Sequence, residues 1–100
     1  MEQIQFIGLN ELEKVDQDMV QTLATEYYEK IKRSLHNETS LVIHIKPAAK
    51  EGHRHRYEVS VRVAAPTRTF ESSAEDWDLA AVIHKTLKEL LSQIEHAFHT

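Results

Sequence analysis

Phe70-Glu-Ser-Ser-Ala-Glu-Asp-Trp-Asp-Leu-Ala-Ala-Val-Ile83 is the stretch that decides the fold. Phe70, Ser72 and Ala74 alternate onto one face, the period of a half-buried strand. The period then changes. Ala80, Ile83, Leu87, Leu90, Leu91, Ile94, Ala97 and Phe98 fall on one stripe of a helix running to the end of the chain. Between the two, Glu75, Asp76 and Asp78 crowd the junction. Carboxylates suit that place, because the first helical turn has unpaired N–H groups and a partial positive charge. Ser73 followed three residues later by Asp76 adds a spacing like that of a capping box. A strand that turns directly into a long amphipathic helix needs a sheet for the helix to cover.

The rest of the chain supplies that sheet. Ile4 and Phe6 alternate with Gln3 and Gln5 as a short first strand, with Gly8 at its end. Asp16 is the expected cap of a first helix whose stripe is Met19, Leu23, Tyr27, Ile31 and Leu35, widened by Val20, Ala24 and Tyr28. Leu41, Ile43 and Ile45 mark a second strand that Pro47 is expected to stop, leaving residues 48–53 as a flexible loop. Residues 54–64 form a long third strand, with Tyr57, Val59, Val61 and Val63 on one face and Arg54, Arg56, Glu58, Ser60 and Arg62 on the other. Ala65-Pro66 turns the chain into the fourth strand, residues 67–74. The order is β-α-β-β-β-α, an α+β fold: a four-stranded mixed sheet with both helices on the Tyr57/Val59/Val61/Val63 face. The crossover makes the first two strands parallel if adjacent, and the last three strands form a meander.

One hundred residues make one domain with a single modest core. Cysteine is absent, so disulfide and thiolate chemistry are excluded and any metal would be held by His and carboxylates. No apolar run approaches a membrane span, and no basic segment precedes an apolar stretch at the N-terminus, so the expected setting is cytoplasmic. The net charge of −4 hides a division. Residues 1–29 carry one Lys and seven acids, residues 30–68 carry nine Lys or Arg and three acids, and residues 69–100 carry two Lys and six acids. A basic centre between acidic ends points to a polyanion-binding surface, or else to solubility and internal pairing.

The densest basic run is Lys46, Lys50, His53, Arg54, His55 and Arg56, with Arg62 on the same strand and Arg68 on the next. Lys and Arg neutralise phosphates, and Arg can hold one with two parallel bonds. The bland reading is a solvated strand kept soluble by charge. Lys30, Lys32 and Arg33 sit late in the first helix, where they also complement its dipole. His44, His53, His55, His96 and His99 are too sparse for a metal site. No Gly-rich phosphate loop, nucleophile elbow or Ser/His/Asp grouping appears, so no enzyme, cofactor or small-molecule substrate is expected. Phe6, Tyr27, Tyr57, Phe70 and Phe98 fall on core stripes, leaving Tyr28 and Trp77 to reach the surface, so there is no aromatic sheet platform for RNA bases.

Phe70-x-Ser72-x-Ala74-Glu75-x-x-Asp78-Leu79-x-Ala81-x-Ile83 resembles the final strand–turn–helix of the ribosome hibernation-promoting factors, also called protein Y or sigma-54 modulation proteins. Ile4-x-Phe6-x-Gly8 resembles the family's first strand and its glycine, and the element order matches along essentially the whole chain. The resemblance implies a single short-form domain over residues 1–100 that binds the small ribosomal subunit in the mRNA and tRNA channel and inhibits translation in idle ribosomes, without catalysis. It departs from the family pattern at Asp76-Trp77, in the longer connection over residues 9–15, and in having fewer helix cations. On this reading Lys46, Lys50, Arg54, Arg56, Arg62 and Arg68 contact rRNA phosphates, with Lys30, Arg33, Lys85 and Lys88 as a second, helix-borne set. Reversing Arg54 and Arg56 to Glu is then expected to weaken binding and leave folding intact. The alternative is a protein-interaction or self-associating module with no nucleic acid partner. A free double-stranded-RNA binder ranks lower, because Glu75, Asp76 and Asp78 would repel phosphate at the start of the last helix.

Overall fold

A computed structural model describes residues 3–35, 39–52, 54–66 and 68–99. The elements are β1 (Ile4–Ile7), a single 3-10 turn (Leu9–Glu11), α1 (Lys14–Leu35), β2 (Ser40–Glu51), β3 (Arg54–Ala64), β4 (Thr69–Asp76) and α2 (Leu79–His99). The strands lie in the order β1-β2-β3-β4. β1 pairs with β2 in parallel, and β2, β3 and β4 are successively antiparallel. The expected α+β architecture is therefore present.

Alternation along the strands decides which face the helices cover. Leu41, Val63 and Phe70 form one cross-strand row, Ile43, Val61 and Ser72 the next, and Ile45, Val59 and Ala74 a third. All but Ala74 are buried, and they meet Val20, Ala24, Tyr28 and Ile31 of α1 and Val82, Ile83, Leu87, Leu90 and Ile94 of α2. The opposite face is open. Because β1 and β2 are parallel, α1 runs back against β2. α2 runs back against β4, which is itself parallel to β2. Both helices therefore start at the end of the molecule that carries the β2–β3 turn at Gly52.

Several local expectations are corrected. α1 begins at Lys14, so Asp16 lies in its first turn and does not cap it. The Gln17 side-chain amide donates to the Leu12 carbonyl at 2.8 Å and ties down the helix start. The buried seam of α1 is Val20, Ala24, Tyr28 and Ile31, while Met19, Leu23, Tyr27 and Leu35 are only partly buried. The two neighbouring tyrosines thus exchange their expected places. Tyr28 is buried and its hydroxyl donates to the Thr39 carbonyl at 2.7 Å. Tyr27 is turned toward α2 and its hydroxyl lies 3.2 Å from His84 Nδ1.

β2 does not stop at Pro47. It continues to Glu51, with its register against β3 shifting between Pro47 and Ala49. A bulge beyond the end of β1, where β2 has become an edge strand, is a place that tolerates a missing N–H. β4 starts at Thr69 and runs to Asp76, so Ser73 lies inside the strand. The true cap of α2 is Asp78, whose Oδ1 accepts from the Ala81 N–H at 3.1 Å, while Asp76 Oδ1 accepts from the Asp78 N–H. Phe98 is 47% exposed, although its ring lies against Phe70 at 6.0 Å. The outer edge of β4 is covered by Gln93 of α2, whose amide donates to the Glu71 carbonyl at 2.9 Å.

Candidate nucleic-acid interface

The ten cations expected to contact phosphate do not form one patch. On the open sheet face, each of three lies next to a carboxylate, two by register and one diagonally. Lys46 lies across from Glu58, which lies across from Glu75. Arg62 faces Glu71, its Nε 3.7 Å from the carboxylate. Arg56 Nε lies 3.0 Å from Glu75 Oε2 and is shielded from solvent, but its N–H is not aimed along that line, so the contact is electrostatic only. Such half-exposed pairs stabilise by at most about 1 kcal/mol. They nevertheless cancel the local positive potential that a phosphate would seek.

The hairpin end adds further acids. Glu51 is the cross-strand partner of Arg54, and the Arg54 guanidinium stacks 5.2 Å from the Trp77 ring. Lys50 pairs with His55 on the helix side of the hairpin, so it does not share a face with Lys46. Tyr57, on that same side, has its hydroxyl pKa raised, first by burial and then by the negative charges of Asp16 and Glu13. The acids that favour the two helix N-termini therefore surround the basic hairpin. At the other end of the sheet, Arg68 leaves the β3–β4 turn and lies 4.6 Å from the Phe70 ring, beside a shallow depression lined by Glu89, Ser92, Gln93 and His96. His44 on β2, His55 on β3 and His96 on α2 occupy different faces, and His53 lies outside the described residues. Among the described residues no three His, Asp or Glu side chains gather to hold a metal ion.

The helix-borne set differs. Among the described residues no ion pair neutralises Lys30, Arg33, Lys85 or Lys88, and all four are exposed. Lys30 Nζ lies 5.2 Å from the Tyr27 ring centre. Tyr27 in turn meets His84, ring to ring at 5.8 Å in an edge-on arrangement. Lys88 follows His84 by one helical turn on the same face. The two parallel helices therefore bring Lys30, Tyr27, His84 and Lys88 to one stretch of the surface between them. Sequence reasoning missed Tyr27 and His84. A signal existed: His84 sits directly beside the apolar stripe of Ala80, Ile83 and Leu87, a boundary position from which a side chain can reach a neighbouring helix.

Among solved structures, the chain is similar to the crystal structure of the Thermus thermophilus Protein Y N-terminal domain, with a TM-score of 0.68 over 94% of this chain and 93% of that one. The chain has the fold of that domain. At 19% identity the likeness is one of fold, which by itself does not carry activity. No protein-family model matches the chain, and no curated protein matches it. The Protein Y fold is nonetheless the one that the Phe70–Ile83 junction and the Ile4-x-Phe6-x-Gly8 strand resemble. No helix among the described residues is long and apolar enough to cross a membrane.

Proposed function

We propose that the protein is a ribosome-associated factor of the hibernation-promoting kind, a single domain over residues 1–100 working in the cytoplasm. It binds rRNA of the small subunit in the channel used by mRNA and tRNA, and it silences idle ribosomes by occupancy and not by catalysis. The observation that carries this reading is the fold likeness to the Protein Y N-terminal domain over 94% of the chain. The cations left without ion-pair partners on the helices support it. Lys30, Arg33, Lys85 and Lys88 are the principal phosphate contacts in this reading. Lys50, Arg54 and Arg68 serve at the periphery. Lys46, Arg56 and Arg62 contribute less, because carboxylates face them.

Co-sedimentation of the purified protein with small ribosomal subunits across a salt series tests the proposal. If four cations engage phosphates, about a fourfold rise in salt weakens binding about a hundredfold. Pelleting that is insensitive to salt would instead favour a protein-interaction module, whose apolar contacts are not screened. No pelleting at low salt would overturn the ribosome reading.

A further inference from the structure

The contact between Tyr27 and His84 joins residues 57 apart in the chain, at the surface where α1 and α2 meet. His84 is exposed, and the hydroxyl at 3.2 Å from Nδ1 fixes its ring. By ring contact and helical spacing, the charged and titratable groups nearest it among the described residues are Tyr27, with Lys30 over its ring, from α1, and from α2 Lys88 one turn on and Lys85 next in sequence. Glu26 adjoins Tyr27 in sequence but lines an outer depression with Asp18, Thr22 and Thr25. One turn before His84 the residues are Ala80 and Ala81. The notch therefore gathers positive charge and hydrogen-bond donors without a carboxylate paired to them among the described residues.

We infer that this notch is a phosphate-binding site for an RNA backbone in which His84 makes affinity depend on pH. The inference rests on the ribosome reading only for the source of the phosphate. In the neutral ring with its proton on Nε2, the Tyr27 hydroxyl donates to Nδ1 and Nε2–H is left as a donor for a phosphate oxygen. In the protonated ring Nδ1–H donates to the hydroxyl oxygen, which frees the hydroxyl proton for the same phosphate and adds a positive charge. Imidazole gains that charge within the physiological range, whereas phosphodiesters keep theirs throughout.

The test is the affinity of the full chain for a short single-stranded RNA lacking a terminal phosphate, measured at about pH 6 and about pH 8, the range across which imidazole titrates. Binding is expected to be about fivefold tighter at the lower pH, the effect of one unit charge 4–5 Å from a phosphate at a well-solvated surface. His84→Gln, which keeps a polar side chain but does not titrate, should abolish the pH response. His96→Gln should retain it. Tyr27→Phe should weaken binding at both pH values. Sulfate, whose charge does not change over this range, should shift the amide resonances of Tyr27, Lys30, His84 and Lys88 in NMR spectra.

A pH response that survives His84→Gln, or sulfate shifts that avoid these residues, would overturn the notch even if the protein pellets with small subunits. A His84-dependent pH response in a protein that does not pellet would uphold the notch and overturn the ribosome source of the phosphate.

Discussion

Gly8 and Gly52 both have positive φ, at 88° and 62°, but their surroundings differ, and replacing each by alanine separates two costs. A Cβ on Gly52 would meet nothing within 4 Å, so Gly52→Ala carries only the penalty of a left-handed conformation, about 1 kcal/mol. A Cβ on Gly8 would be driven into the backbone carbonyl of Ile45, far inside van der Waals contact. That carbonyl belongs to the core of β2 and cannot rotate away as a side chain would. Relieving the clash means moving the end of β1 off β2, a strain of about 1–3 kcal/mol by analogy with overpacked cores. Added to the conformational penalty, this gives about 2–4 kcal/mol. For a chain of this length, Gly8→Ala should lower Tm by about 10–20 °C and Gly52→Ala by about 5 °C. Thermal denaturation followed by far-UV circular dichroism reads both. Equal losses at the two positions would refute the close approach of Gly8 to β2.

Tyr28→Phe keeps the buried ring but orphans the Thr39 carbonyl, and should cost about 1–2 kcal/mol by the same denaturation assay. The Thr39 hydroxyl donates to the Ala64 carbonyl at 2.7 Å, so this small network fastens the start of β2 to α1 and to the end of β3. Tyr57 has a folded-state pKa above the ordinary 10.0, because of burial and then the charges of Asp16 and Glu13. Its contribution to stability is fully present below pH 10.0 and is lost as pH rises through the raised folded value. Denaturation midpoints measured up the alkaline range should therefore fall more steeply for the wild type than for Tyr57→Phe.

The architecture was legible because period alone separates strand from helix. Val59, Val61 and Val63 alternate, Ile83, Leu87 and Leu90 do not, and only one sheet face has apolar residues for helices to cover. The details that failed did so for identifiable reasons. A helical stripe of eight apolar positions does not say which side is centred on the sheet. One step of rotation exchanged Tyr27 and Tyr28, and only the partner carbonyl of Thr39 decides between them. Pro47 reads as a stop because sequence does not reveal that β1 has already ended beside it. The candidate site was the least legible part. Blocks of like charge along the chain become mixed in space, since strand pairing sets Glu58 and Glu71 against Lys46 and Arg62 and brings Glu75 diagonally beside Arg56. Parallel helices carry the acids of residues 11–18 and 75–78 to the end that bears the basic hairpin. Lys30, Arg33, Lys85 and Lys88, which have no ion pair among the described residues, lie on the helices, where the sequence offers the dipole as an equally good explanation.

On the proposed reading, rRNA meets the face between the two helices more than the open sheet. Two charge reversals compared in co-sedimentation with small subunits at low salt test it most directly. Lys30→Glu with Lys88→Glu should abolish pelleting, while Arg56→Glu with Arg62→Glu should leave most of it, both proteins remaining folded by circular dichroism. Loss of pelleting in the sheet variant with retention in the helix variant would contradict the account.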